Sequence, residues 1–464
     1  MDAEPAAPPP SNGSDRDLFV LSFLILFLEL ACIRWFGSTV VFLTFFTNLA
    51  LMACFVGMSV GSLAAPRRTS WIVAVLPLLL VATWAATDSL RRFESKEFAV
   101  RVGNQQSPQL IYFGTERSPL DFARYDVPIE LIAGAFFLLI ALVFVGLGQE
   151  LGRQFDARPD RVRAYTTNVL GSLCGIVAFG AMSSARLNPL AWFGVAGVLV
   201  LHVLRRRPLA LGVGVACLAA TLWAVASVSI GTGPEGTISW SPYYKITATA
   251  GGLIQTNNIG HQQMISVADG GSAYALPYLL TRDAGAPPPR DVLIIGAGSG
   301  NDVAAALAAG ATHVDAVEID PVIHQIGRKS HPDRPFDDPR VAVHIDDGRS
   351  FLHKTHRQYD LIVYALVDSL VLHSGYSSIR LESYLFTEQA LRDVRARLKP
   401  GGLFVMYNYF RQGWAVGRLV TMARDVFGPD PIVCFLPYRP TIQAADEHPG
   451  FTLLFTGDAR DPGA

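Results

Sequence analysis

Apolar residues are distributed unevenly along this chain, and the change in their pattern divides it near residue 235. Residues 1–16 form a Pro/Ala/acidic tail that reads as disordered. Long uncharged stretches follow at 18–36, 40–64, 70–87, 128–148, 166–184, 189–204 and 208–230, each near the ~20 residues that cross a bilayer. The fifth is the weakest because it is rich in Gly and Ser, and the sixth because it is short. The first run does not read as a cleaved leader, because no basic region precedes it and further spans follow. Past Ile230 the breaker cluster Gly231–Gly236 intervenes, and no later segment is long and apolar enough to span. Short apolar runs at Asp291–Ile295, His313–Ile319, Arg340–Ile345, Tyr359–Tyr364 and Gly402–Tyr407 alternate there with helical patterns at 301–309, 321–329 and 386–398. That alternation predicts a parallel sheet covered on both faces. Residues 239–268 carry β-prone segments with Gly-Gly and Asn-Asn turns and predict hairpins, and Phe451–Thr456 predicts one more strand. The expected organisation is a tail at 1–16, a membrane domain of about seven transmembrane helices at 17–231, a small β subdomain at 237–285 and an α/β domain at 290–457.

Composition agrees with a division of this kind. The 464 residues are 50% hydrophobic and only 17% charged, against about 25% charged in soluble chains. The mean hydropathy is +0.32. A net charge of -1 provides no basic field for nucleic acid. The five cysteines, Cys32, Cys54, Cys174, Cys217 and Cys434, form no CxxC pair, so neither a disulfide framework nor a metal site is expected.

The chemistry concentrates in Val292–Asp302, where a strand ends, glycines turn the chain and a helix begins. Gly296, Gly298 and Gly300 let backbone approach a ligand closely, and Ser299 lies among them, ahead of the free N–H groups of the helix start. Twenty residues beyond Gly298, Glu318 ends the next strand, where a carboxylate can accept two ribose hydroxyls. Asp346 and Asp347 end the third strand and are placed for an adenine amino group. The glycine spacing is G-x-G-x-G, not the G-x-G-x-x-G of dinucleotide sites, because Asn301 stands where the third glycine would fall. That spacing suits an S-adenosylmethionine-type fold.

Residues 239–456 resemble the spermidine synthase (polyamine aminopropyltransferase) family, and the whole chain resembles its bacterial branch with an N-terminal multi-span membrane region. The matching segments are Trp240–Ile246, Val292–Asp302, Val317–Asp320, Asp346–Gly348, Tyr359–Val363 and Leu398–Gly402. The resemblance implies a methyltransferase-like (Rossmann-type) α/β domain behind a small β subdomain. It also implies decarboxylated S-adenosylmethionine or S-adenosylmethionine as donor, no metal, and aminopropyl transfer to a small-molecule amine or a membrane-borne acceptor. A homodimer is a further implied partner, beside the lipid bilayer. Carried over by position, Glu318 matches the ribose ligand, Asp347 the adenine ligand and Tyr274 a substrate-site tyrosine. Two positions depart from the pattern. The glycine-loop aspartate that holds the donor's amine is Ser299 here, and the first aspartate of Asp-Ser-Ser-Asp is Ala365, leaving Asp368. Each lost contact is a charge-assisted hydrogen bond of about 1.5–3 kcal/mol, which argues against ordinary putrescine as acceptor.

Strand C-terminal ends face the ligand crevice in open α/β sheets, so Tyr364, Asp368, His373 and Tyr376 are candidates at the fourth strand. Asp368 is placed as base or cation anchor, Tyr364 or His373 as proton carrier, and Tyr376 as a substrate contact. Packing for Tyr364 and a solvated loop position for His373 are the plain alternatives. Tyr407, Asn408 and Tyr409 end the fifth strand near the same crevice. In the apolar part, Glu29, Arg34, Glu130 and Asn168 are polar groups that serve either as structural pairs or as a site for a lipid-soluble substrate. Gly57–Gly61 suits close helix packing.

A multi-pass protein of the bacterial inner (cytoplasmic) membrane is expected. Arg67, Arg68, Arg153, Arg158, Arg161, Arg163 and Arg205–Arg207 lie on one side of seven spans and little beyond Arg186 on the other. The charge rule makes the basic side cytoplasmic and sends the C-terminal domain outside, whereas an adenosyl donor requires that domain inside. The 88–127 loop shares the face of the C-terminal domain. Three other functions are carried beside aminopropyl transfer: methyl transfer, lyase or cyclase chemistry on a membrane-borne substrate, and a transporter or sensor regulated by a nucleotide-binding domain.

Overall fold

The computed structural model describes residues 14–41, 43, 47–95, 97–101, 125–233, 236–269, 273–366, 384–408, 413–436 and 451–457. The chain folds as two compact units, one holding the helices before Gly233 and the other holding the residues from Ile246 onward.

The first unit contains α1 (Asp15–Thr39), α2 (Thr47–Leu63), α3 (Val75–Glu94), α4 (Ile129–Asp156), α5 (Arg161–Ser184), α6 (Pro189–Leu204) and α7 (Pro208–Ser229). Among the described residues five helices are long and apolar enough to cross a membrane, while α2 and α6 are shorter. The fifth expected span is thus a full 24-residue helix, and it is the second, expected over 40–64, that contracts to 17 residues. The third runs on to Glu94, beyond the expected end at 87. Arg91 and Arg92 in its last turn suit the negative end of the helix dipole, and Arg92 pairs with Asp88 at 2.7 Å. Inside the expected 88–127 loop, Phe98–Arg101 and Tyr125–Pro128 pair as parallel strands.

Small residues set the helix contacts. A methyl on Gly57 or Gly61 would collide with the α4 backbone at Ala141 or Val145, and one on Gly148 with the α2 backbone at Met58. Gly171 and Gly175 of α5 lie against the α1 carbonyls of Phe19 and Phe23 in the same manner. Polar groups gather at the two ends of the bundle. At one end Arg163 and Arg205 pair with Asp15 and Asp17 of α1 at 2.6 and 2.9 Å, and Arg153 binds carbonyls of the α2–α3 loop. At the other, Arg34 hydrogen-bonds the Ser183 hydroxyl and the Ser241 carbonyl and stacks over Trp192, 4.8 Å from the ring centroid. No Glu29–Arg34 ion pair forms among the described residues. Glu29 is buried with Oε2 unpartnered, and Asn168 accepts the Ser22 hydroxyl at 2.9 Å.

The second unit carries a seven-stranded sheet: β1 (Asp291–Ile295), β2 (His313–Glu318), β3 (Val341–Ile345), β4 (Tyr359–Ala365), β5 (Leu398–Asn408), β6 (Ile432–Leu436) and β7 (Phe451–Gly457), in the order β3-β2-β1-β4-β5-β7-β6. β1 to β5 are parallel, and β7 runs antiparallel to both neighbours. This is the methyltransferase-like Rossmann arrangement. The order reverses between β1 and β4, the switch point where open sheets of this kind take ligands. Helices α8 (Leu276–Asp283), α9 (Asn301–Ala308), α10 (Pro321–Ser330), α11 (Gly348–Lys354), α12 (Glu388–Arg397) and α13 (Gly413–Phe427) accompany the strands. Leu293, Ile295, Phe404 and Met406 bury on one face and Ile294, Val363, Val405 and Tyr407 on the other. The continuous apolar runs in the sequence reflect this two-sided burial. β6, α8, α11 and α13 were absent from the sequence expectation. Ahead of the sheet, Lys245–Ala248, Leu253–Thr256 and Ile259–Gln263 form antiparallel hairpins. The second hairpin turns on Asn257 and Asn258, both left-handed at φ 51° and 64°, the paired positive φ of a two-residue hairpin loop.

Candidate functional site

The glycine loop closes on the acid tip of β2. Gly296, Gly298 and Gly300 take φ of 82°, 55° and 112°, conformations that side chains other than glycine rarely adopt. The Gly296 and Ala297 N–H groups both donate to the Val317 carbonyl, at 2.9 and 3.0 Å, which holds the loop over β2. Glu318 is buried, and its carboxylate accepts the Gly298 N–H at 2.7 Å and the Asp320 N–H at 2.8 Å. Burial pushes its carboxyl up to about 7, with those backbone hydrogen bonds opposing the shift. Asp320 in turn caps α10, accepting from Val322 and Ile323.

At the tip of β3 the two aspartates have different partners. Asp346 pairs with Lys354 at 2.7 Å, and that hydrogen bond holds its carboxyl below the usual range. Asp347 caps α11 by accepting the Ser350 N–H at 2.8 Å with one oxygen. Its other oxygen accepts nothing among the described residues. Of the pair, Asp347 retains the acceptor that an adenine amino group would need.

Ser299 is fully buried, its hydroxyl has no partner among the described residues, and its N–H donates to the Gln262 side-chain carbonyl at 2.7 Å. Gln262, on the last hairpin strand, also packs so closely on Gly298 that a methyl there would sit 2.6 Å from its Oε1. Sequence reasoning missed Gln262, because 36 residues separate it from the loop and no motif marks it. The hairpin is tied down further: Asn301 accepts the Ile265 N–H at 3.1 Å and donates to the Gln263 carbonyl at 2.8 Å.

Tyr364 requires a correction. It lies 1% exposed in the core, edge-on to Phe404 at 4.9 Å, with its hydroxyl enclosed and unpartnered. Its side chain takes the sheet face packed by Phe404 and Met406, so it fills the core and does not reach the crevice. Ala365 ends β4, and Leu366 turns the chain with φ 44°. Asp368, His373, Tyr376 and Tyr409 lie outside the described residues. Tyr274 is half-buried and meets Tyr407 edge-on at 6.2 Å.

The comparisons fall on this region. The family described as "Spermine/spermidine synthase domain" matches residues 283–415. Within the chain, the segment 283–415 is thus similar to that domain family. A polyamine aminopropyltransferase of Thermoplasma volcanium is 29% identical over 171 residues, 36% of this chain and 58% of that one. A polyamine aminopropyltransferase of Hyperthermus butylicus is 33% identical over 121 residues, 25% and 37% of the two chains. This chain therefore spans about half the length of the curated relatives it matches. The spermidine synthase structure from Thermotoga maritima overlays with a TM-score of 0.35 at 20% identity, covering 50% of this chain and 73% of that one, a likeness that adds nothing to the strand order.

The matched segment holds one acid to which the sequence reading assigned no role. Asp302, in the first turn of α9, is 7% exposed and accepts a hydrogen bond from the Tyr407 hydroxyl. Burial pushes its carboxyl up to about 7, and the Tyr407 bond opposes this. Its signal was present as the last residue of the quoted glycine motif. Its tyrosine partner lies 105 residues away and is joined to it only by the sheet.

Proposed function

We propose that this chain is an integral-membrane transferase of the spermidine synthase type, which passes an aminopropyl group from decarboxylated S-adenosylmethionine to an amine acceptor. The observation that carries the reading is the 2.7 Å bond from the Gly298 N–H to Glu318, which joins glycine loop and acid tip into one preorganised cradle for a nucleoside. The residues present fit the nucleoside half of such a donor. Each Glu318 oxygen accepts one backbone N–H and keeps a lone pair for a ribose hydroxyl, and Asp347 keeps an oxygen for the adenine amine. A sulfonium donor supplies the electrophilic carbon, so the protein's part is to hold the nucleoside, orient the amine and take its proton. The five long apolar helices support the membrane location.

One feature favours methyl transfer from S-adenosylmethionine as a second reading. Ser299 and Ala365 offer no carboxylate where a donor amine and an attacking amine would be held. Calorimetry on the full chain in detergent, with each donor in turn, separates the two. The proposal expects tighter binding of the decarboxylated donor and about 10- to 100-fold weaker binding in Glu318→Ala, the cost of a lost hydrogen-bonded charge. Heat from neither donor, or unchanged binding in Glu318→Ala, overturns it.

A further inference from the structure

We infer that Asp302 is the anchor for an ammonium group of a diamine acceptor, held together with the hydroxyl of Tyr278 and the rings of Tyr274 and Tyr407. The inference rests on the nucleoside reading above and adds the residue that selects the second substrate. Asp302 is an enclosed carboxyl, and among the described residues no Lys, Arg or His pairs with it. Its hydrogen bond comes from a neutral phenol, Tyr407. An enclosed acid without a cation is costly, and an arriving ammonium offsets that cost. The surroundings suit such a guest. The Tyr278 hydroxyl is fully enclosed, has no hydrogen-bond partner among the described residues and lies in the field of the same carboxylate. Tyr274 and Tyr407 present aromatic rings meeting edge-on, surfaces that attract cations.

Strand order puts this group on the acceptor side. Glu318 and Asp347 follow β2 and β3, on one side of the switch point, whereas Tyr407 stands on β5, beyond β4 on the other. A donor with its nucleoside over β2 and β3 directs its reactive end toward β4 and β5. There Ala365 and Ser299 supply no charge, and Asp302, three residues past Ser299 on the adjoining helix, supplies one. A single carboxylate fixes one ammonium of a diamine and leaves the other end free to attack once it has given up its proton to a base. Titration agrees with this arrangement. The groups facing Asp302 are Tyr274 on the segment before α8, Tyr278 on α8 and Tyr407 on β5, and burial pushes all three phenols up, so they stay neutral while the acid ionises.

The test uses full-length protein in detergent, saturated with 5′-methylthioadenosine and titrated calorimetrically with putrescine. Wild type is expected to bind putrescine, because Asp302 supplies the carboxylate whose loss at Ser299 and Ala365 spoke against that acceptor. Asp302→Asn is expected to weaken putrescine about 10-fold or more while nucleoside affinity stays within about twofold, and Asp302→Glu to recover part of the loss. Tyr278→Phe, which breaks no hydrogen bond present in the free protein, is expected to weaken putrescine about threefold. Wild type that binds the nucleoside but no putrescine overturns the inference and leaves the nucleoside reading standing, as does unchanged putrescine affinity in Asp302→Asn. Absence of nucleoside binding in wild type defeats the nucleoside reading itself, and the inference with it. Should Asp302→Asn fail to fold, an unchanged affinity in Tyr278→Phe decides against the inference.

Discussion

The two units use the same apolar residue types to opposite ends. In the helical unit, large apolar side chains point outward: Leu63 is 84% exposed and Leu209 88%, and Phe55, Leu131, Val177, Val213 and Trp223 are exposed with them. In the sheet unit, Val, Ile and Phe residues of β1, β4 and β5 are enclosed between the sheet and its helices. A soluble monomer seldom leaves so broad an apolar surface in water. The polar residues show the reverse contrast. The helical unit ties its arginines to acids and carbonyls at the bundle end, Arg163 to Asp15 and Arg205 to Asp17. The sheet unit keeps Glu318 and Asp302 inside, where burial raises both carboxyls to about 7. Outward apolar faces are what the proposed membrane location requires, and inward acids at strand tips and a helix start are what the proposed ligand site requires.

The largest expected effect concerns the first half of this contrast. Washing membranes with alkaline carbonate is expected to leave the full chain in the pellet, and its release to the supernatant would remove the reason for the outward apolar faces. Next in size is the packing of the helical unit. Gly57→Leu forces bulk against the α4 backbone at Ala141 and the Phe144 side chain, at a cost of about 1–3 kcal/mol, seen as a lower melting temperature in detergent. Gly134→Leu, where a Cβ meets open space, is the control and should change little.

A pH-dependent effect no larger than this sharpens the second half. A carboxyl whose folded pKa is about 7, against about 4 unfolded, binds its proton more tightly in the folded state. It therefore contributes stability that is fully present below about pH 4 and is lost as pH rises through about 7. Asp302→Asn and Glu318→Gln should each flatten the decline of melting temperature between pH 4 and pH 7, by the equivalent of roughly 1–3 kcal/mol. A decline as steep as that of wild type would mean that these acids are already solvated.

Much of the sheet unit was legible because its signals are local. β1 to β5 are continuous apolar runs, and the Asn257-Asn258 turn and the glycine bend announce themselves in a few residues. β6 was not seen because it is only five residues long and its Ile432 is 66% exposed, so no buried periodicity marks it. α13 begins on Gly413 and carries Gly417 inside, which weakens its helical pattern. Tyr364 was misplaced because a strand end names the position but not the face. One residue of alternation separates the face on which Tyr407 meets Asp302 from the face on which Tyr364 is buried beside Phe404. Gln262 and the Asp302–Tyr407 pair were illegible for another reason, since each is a contact across tens of residues that only the folded sheet creates. In the helical unit, the number of apolar helices was readable from hydropathy, but the ends of α2 and α3 were not, because hydropathy does not register capping or charge at a helix terminus.

The central claim is that the glycine bend and Glu318 hold a nucleoside together. The most direct measurement is a structure of the full chain with 5′-methylthioadenosine. Ribose hydroxyls within about 3 Å of the Glu318 carboxylate, with the adenine amine facing Asp347, are the expected result. A nucleoside found elsewhere on the chain, with the Gly298–Glu318 contact facing no ligand, would contradict it.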